Sequence, residues 1–192
     1  MFENPHRNKS FTDQFPSNKI SMKTKPLNIQ KTKLEGVFLI EPPTIFEDFR
    51  GTYVETYNQE QYNAAGIIGP FIQDDISVSS RHVLRGIHGD SETCKLVSCL
   101  HGSFYLVVVN NDPDSKQFQQ WEAFTLSDQN RMQVLIPPKF GNGHVVLSQE
   151  AIFHYKQTTY YDQAGQFTIK WNDPKLGIWW PVKNPMLSKR DE

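Results

Sequence analysis

Arg85, His88 and Lys95 place a guanidinium, an imidazole and an ammonium close together. The stretch runs Val83-Leu84-Arg85-Gly86-Ile87-His88-Gly89-Asp90 and resumes at Lys95-Leu96-Val97. Two cations can hold an anionic oxygen while a neutral imidazole removes a proton beside it. Any reaction performed by the chain is expected here. The flanking residues are of β type, so strands must carry the three groups. Strict alternation would turn Arg85 and His88 to opposite faces, because their separation is odd. Gly86 lies between them and can host a bulge that shifts the register. A bulge at or near Gly86 is therefore expected, with both side chains turned inward and Lys95 entering the same cavity from the next strand.

Other residues are candidates by type and position. Arg50-Gly51 follows Phe46-Glu47-Asp48-Phe49 and precedes Tyr53 and Glu55. An arginine beside a glycine suits a phosphate or carboxylate, which needs close approach; the alternative is a solvated arginine in a turn. Gln73, Asp75 and Ser77 alternate along one strand face, so they line a polar cavity if turned inward and a wet surface if turned outward. Pro137-Pro138-Lys139-Phe140-Gly141-Asn142-Gly143-His144 reads as a rigid turn that sets His144 at a strand start. His88, Asp90 and the distant His144 also follow the ligand order of a facial triad for non-haem iron, which gives a metal-dependent cupin oxygenase as the alternative function. Tyr155, Tyr160 and Tyr161 offer phenols for structural hydrogen bonds or proton transfer. Asp173, in Trp171-Asn172-Asp173-Pro174, is placed either to cap a turn or to orient a histidine.

The elements that must position these groups are short. β-rich runs recur at Val37-Ile40, Thr52-Thr56, Phe71-Ser77, Val83-Ile87, Lys95-Cys99, Phe104-Val109, Trp121-Leu126, Met132-Ile136, His144-Leu147 and Ile152-Thr158. The links between them are too short for crossover helices, which predicts an all-β fold: an antiparallel jelly-roll barrel of the cupin kind. Helix is limited to Gln59–Ala65 and a turn near Asp128. Residues 1–33 are rich in Asn, Lys, Ser, Thr and Pro and read as a flexible N-terminal arm, with Phe2, Phe11 and Phe15 able to pin it to a surface. Residues 34–192 form the single domain.

Composition narrows the function classes. The formal net charge of -1 gives no electrostatic footprint for nucleic acid. No apolar run approaches the roughly 20 residues of a membrane span. No secretory leader is recognisable at the polar N-terminus. Cys94 and Cys99 sit at an odd separation on one strand, so they are not expected to bridge. A cytoplasmic compartment fits best.

These residues together resemble the nucleotide-sugar 4-keto-6-deoxy 3,5-epimerase family. The resemblance covers about Gly36 to Asp191 and rests on Phe49-Arg50-Gly51, Gln73-Asp74, Leu84-Arg85-Gly86-Ile87-His88, Lys95-Leu96-Val97, Tyr155-Lys156, Trp171-Asn172-Asp173-Pro174, Gly177-Ile178, Trp180-Pro181 and Leu187-Ser188. It implies a metal-free and cofactor-free barrel that works as a homodimer. It assigns His88 as catalytic base, Asp173 as its carboxylate partner, Tyr155 as general acid and Lys95 as the group facing the C4 oxygen. Arg50, Glu55, Gln73 and Arg85 match positions that hold the sugar or diphosphate, and Asp75, Asn142, His144 and Tyr161 are the further substrate-binding candidates.

The sequence departs from the rhamnose-pathway pattern at His88-Gly89-Asp90, at the short Ser91-Glu92-Thr93-Cys94 loop, at Gly141-Asn142-Gly143-His144 and at Asp75. Those features look closer to the branch that epimerises GDP-6-deoxy-4-keto-heptoses. The chemistry is coherent with the residues. A ketone at C4 acidifies the hydrogens at C3 and C5, an imidazole removes one, and lysine stabilises the enolate. The expected partner is therefore a nucleotide-diphosphate sugar, with no nucleic acid and no membrane.

Overall fold

The computed structural model describes residues 25–67 and 69–192. Thirteen strands and one short helix make up its regular structure. One sheet has six strands in the order β1 (Asn28–Lys31), β2 (Phe38–Glu41), β10 (Gln133–Ile136), β7 (Lys95–His101), β12 (Glu150–Gln157) and β5 (Gln73–Ser80). The other has five, in the order β13 (Phe167–Thr168), β6 (Leu84–Gly89), β11 (Phe140–Val146), β8 (Ser103–Asn110) and β9 (Trp121–Ser127). All the pairings between these strands are antiparallel. The expected all-β barrel of cupin type, with little helix, is what forms.

Alternation explains how the two sheets close on each other. Inward side chains of β7, β8, β10, β11 and β12, among them Val97, Phe104, Leu106, Val134, Val146 and Phe153, pack into one buried cluster between the sheets. Each fully buried side chain of this size contributes about 1.5–3 kcal/mol. A second cluster covers the outer face of the five-stranded sheet. There Leu84, Val107, Val109 and Val145 pack against Trp171, Leu176, Ile178 and Trp180 of the C-terminal segment. The Trp121 indole ties that segment down by donating Nε1–H to the Leu176 carbonyl, while Trp180 Nε1 donates within the segment to the Trp171 carbonyl.

The ten expected strands and the single helix are all present, with helix α1 at Gln59–Ala64 capped by Asn58. Three differences stand out. Strand β1 lies within the region read as an arm and pairs with β2 along four residues, from Asn28↔Glu41 to Lys31↔Phe38. The segment is short, polar and exposed, so no hydrophobic alternation marks it. The rest of the expected arm, including Phe2, Phe11 and Phe15, lies outside the described residues. Strand β11 begins at Phe140, so the glycine-rich residues read as a turn are already in the sheet. A Cβ at Gly141 would meet Ile87 Cγ2 at 2.7 Å, so the glycines serve close strand approach rather than a turn. Finally, β3 (Thr44–Asp48) and β4 (Gly51–Val54) pair as a separate two-stranded hairpin, with an isolated bridge from Thr44 to Lys25. Cys94 and Cys99 are unbridged.

Candidate active site

The expected bulge is present, and it organises the site. Along β6 and β11, Arg85 faces His144 and His88 faces Asn142, so three steps on β6 are matched by two on β11. The extra residue brings Arg85 and His88 to the same side. Gly86 makes this possible: its φ is +114°, and a Cβ there would lie 2.5 Å from Gly143 Cα.

Both side chains line a cavity of about 430 Å³ between the sheets. From the five-stranded sheet come Arg85, His88, Asn142 and His144. From the six-stranded sheet come Gln73, Asp75, Ser77, Lys95, Phe153 and Tyr155. The irregular segments beyond β12 supply Tyr161, Gln166, Ser188, Arg190 and Asp191. The polar face of β5 is therefore turned inward.

His88 has a carboxylate partner, and it is Asp191. His88 Nε2 lies 2.9 Å from Asp191 Oδ1, with side-chain exposures of 19% and 4%. The nitrogen is at ion-pair distance but out of line for a regular hydrogen bond. Asp191 is itself fixed, since Oδ1 accepts from the Gly86 amide and Oδ2 from the Ser188 hydroxyl. Burial, and then the Arg190 charge, hold the His88 pKa below its ordinary value against the opposing pull of Asp191. The imidazole is thus kept neutral and basic near pH 7.

Asp173, expected in that role, is elsewhere. Its carboxylate accepts from the Lys175 amide at 2.9 Å and its carbonyl from the Leu176 and Gly177 amides. It caps a turn, as its position before proline allows. Asp191 sits in an irregular tail with no periodic pattern to mark it; the signal available is its place three residues after Ser188 in the Leu187-Ser188 motif.

On the facing wall, Tyr155 stands opposite Asp75 in the β12–β5 register. Burial first, and the Asp75 charge second, raise its pKa, so the phenol keeps its proton. Asp75 is held by Gln73 Nε2 at 2.8 Å, and Gln73 Oε1 accepts from the Tyr161 amide. Lys95 Nζ lies 5.9 Å from the centre of the Tyr155 ring. Burial lowers its pKa, Asp90 opposes that shift and Arg190 adds to it. Arg85 Nε donates to Ser79 Oγ at 3.0 Å.

Arg50 and Glu55 do not reach the cavity. Arg50 is paired with Asp48 at 2.6 Å in the exposed β3–β4 hairpin, and Glu55 accepts from Gln61 Nε2. Nor does the iron triad assemble. Asp90 Oδ1 accepts from the amides of Glu92 and Thr93, outside the cavity that holds His88 and His144. No cluster of three His, Cys, Asp or Glu able to hold a metal occurs among the described residues.

A double-sheet barrel with a His–Asp pair on one wall, a tyrosine on the other and a buried lysine defines an acid–base enzyme acting on a carbonyl compound. The comparisons place it more narrowly. Residues 31–192 match the family described as dTDP-4-dehydrorhamnose 3,5-epimerase, and the chain belongs to that family of nucleotide-sugar epimerases. It is 39% identical over 171 residues to the dTDP-4-dehydrorhamnose 3,5-epimerase of Escherichia coli K12, spanning 86% of this chain and 92% of the relative. The dTDP-4-dehydrorhamnose 3-epimerase of Streptomyces niveus is 34% identical, over 89% and 82% of the two chains. The crystal structure of a dTDP-6-deoxy-D-glucose-3,5-epimerase from Legionella pneumophila, in complex with dTDP-4-keto-L-rhamnose, superposes with a TM-score of 0.82. That match has 39% identity and covers 86% of this chain and 90% of the other.

Proposed function

We propose that the chain inverts C3, C5 or both in a nucleotide-diphospho-4-keto-6-deoxy sugar, in the synthesis of deoxysugar precursors. The observation that carries this reading is His88 on one sheet, paired with Asp191 of the C-terminal tail, facing Tyr155 on the other sheet, with Lys95 beside it. His88 takes a proton from the carbon next to the C4 ketone. The C–H electrons move onto the C4 oxygen as an enolate, and Asp191 stabilises the imidazolium. Lys95 holds the enolate oxygen, a contribution of about 3–4 kcal/mol for a well-placed donor. Tyr155 then returns a proton from the opposite face. The ketone is the electron sink, so the scheme uses neither metal nor organic cofactor.

The β3–β4 hairpin supports a homodimer. Phe49 and Tyr53 are 85% and 63% exposed, and Ile76 on the edge strand β5 is 61% exposed. Burying these surfaces against a second copy would offset their exposure and lets Arg50 and Glu55 serve a neighbouring cavity. Two unbridged cysteines fit a cytoplasmic enzyme, and no helix among the described residues is long and apolar enough to cross a membrane. The relatives are named for dTDP sugars. In this chain Gly89-Asp90 follows the base, and Gly141-Asn142-Gly143-His144 forms the opposing strand. These departures favour a GDP-linked heptose.

The test is incubation with GDP- and dTDP-linked 4-keto sugars in deuterated water, reading which carbons exchange. Wild-type protein should incorporate deuterium at C3, C5 or both and form epimer, and His88→Asn should do neither. Normal exchange by the His88 variant would sink the scheme.

A further inference from the structure

Arg190 and Asp191 are neighbours in the chain, and both line the cavity beside His88. A guanidinium and a carboxylate so placed are matched partners, because the planar fork of arginine fits two carboxylate oxygens at once. They do not pair. Among the described residues, no ion pair joins Arg190 to a carboxylate. Arg190 Nη2 donates instead to Gln166 Oε1 at 2.9 Å, and Asp191 keeps Oδ1 for His88 and the Gly86 amide.

The backbone explains how Gln166 comes to stand there. It immediately precedes β13, whose register sets Phe167 against Gly89 and Thr168 against His88 on β6. The tail reaches the same strand further back, where the Met186 carbonyl accepts from the Leu84 amide and its amide donates to the His82 carbonyl. Two segments therefore converge on β6, and the Gln166–Arg190 bond links them through side chains. Glutamine suits the task, since its amide oxygen accepts without bringing a second anion near His88.

The link matters because the His88–Asp191 contact is open to competition. The two groups lie 2.9 Å apart but out of line for a regular hydrogen bond. The Asp191 side chain is only 4% exposed, so water would screen little of the attraction to an approaching guanidinium. An arginine fork on that carboxylate would take the charge that stabilises the imidazolium. The Arg190 charge is already felt at His88, where it opposes protonation.

We infer that Gln166 is a positioning residue: it holds the Arg190 guanidinium away from Asp191 and so reserves that carboxylate for His88. This rests on the epimerase reading and adds a residue that acts on the base through two others.

Gln166→Met removes the acceptor at similar size, and Gln166→Glu keeps one. With GDP- and dTDP-linked 4-keto-6-deoxy sugars as substrates, Gln166→Met should lower kcat about tenfold or more, with a smaller change in KM. Gln166→Glu should recover most of that loss. In an Arg190→Gln background no guanidinium is left to restrain, so the same Gln166→Met change should alter kcat by less than about twofold. A crystal structure of Gln166→Met should show Arg190 within about 4 Å of the Asp191 carboxylate. An undiminished kcat in Gln166→Met, or an equal loss in both backgrounds, would overturn the assignment. So would an Arg190 that stays clear of Asp191 in the variant's structure. Wild-type protein that turns over no 4-keto sugar would fell the epimerase reading alone, and the crystal structure would still decide whether Gln166 restrains Arg190.

Discussion

The two walls of the cavity reach the same end by different means. Tyr155 and its neighbours Gln73 and Asp75 are set by the pairing of β12 with β5, one residue against the next for eight positions. His88 is set by a bulged strand, and its carboxylate arrives from an irregular tail more than a hundred positions further along. The acid side is built by regular strand register, and the base side by the docking of an irregular tail held in place by tryptophans. Groups of the first kind are specified by alternation. Those of the second depend on anchors far from the reaction.

The sharpest way to break this comparison is Asp191→Asn. Loss of the charge that stabilises the imidazolium should lower kcat on the order of 10⁴-fold, by analogy with histidine partners elsewhere, while substrate binding changes little. Steady-state kinetics beside a binding isotherm separates the two. Retained turnover would mean that the tail does not complete the base.

Next in size is Tyr155→Phe, which removes the phenol but keeps the ring against Phe153. Epimer formation should fall by about 10²-fold, the usual scale of a general acid, while deuterium exchange through His88 persists. Exchange and inversion falling together would move Tyr155 into enolate stabilisation, and the two walls would no longer act separately.

A smaller effect concerns pH. His88 works as a base only when unprotonated, and its pKa is held below the usual 6.5. The acid limb of kcat/KM should therefore lie below pH 6.5, with activity lost as pH falls through the folded-state value. Arg190 is one cause of the lowering, so Arg190→Gln should move the limb to higher pH. A limb displaced to lower pH would contradict that sign.

The smallest expected change is Asp173→Asn. The turn should lose about 1 kcal/mol or less, seen as a modest drop in melting temperature, with turnover within about twofold of wild type. A collapse in turnover would return Asp173 to the catalytic role that its motif suggested.

Much of this was legible in the residues before any coordinates. The odd spacing of Arg85 and His88 demanded a bulge, and Gly86 was the one place to put it. The even spacing of Gln73, Asp75 and Ser77 put them on a common face. What stayed hidden had no period to reveal it. Strand β1 is polar and almost fully exposed, so its pairing leaves no hydrophobic imprint. Gly141-Asn142-Gly143 resembles a turn because close strand approach and tight turning call for the same residue. Asp173 and Asp191 both sit in irregular segments, and only tertiary docking tells which carboxylate meets the imidazole.

The bulge at Gly86 also carries a consequence for how this protein can change over generations. Removing one codon between Arg85 and His88 would leave a regular strand that still pairs with β11. Arg85 and His88 would then stand two positions apart and share a face by plain alternation, so the guanidinium and the imidazole would keep a common pocket. A lineage that lost Gly86 would keep both groups facing the cavity but lose the amide that Asp191 Oδ1 accepts from, so the change would fall on how the carboxylate is held and not on where the base points.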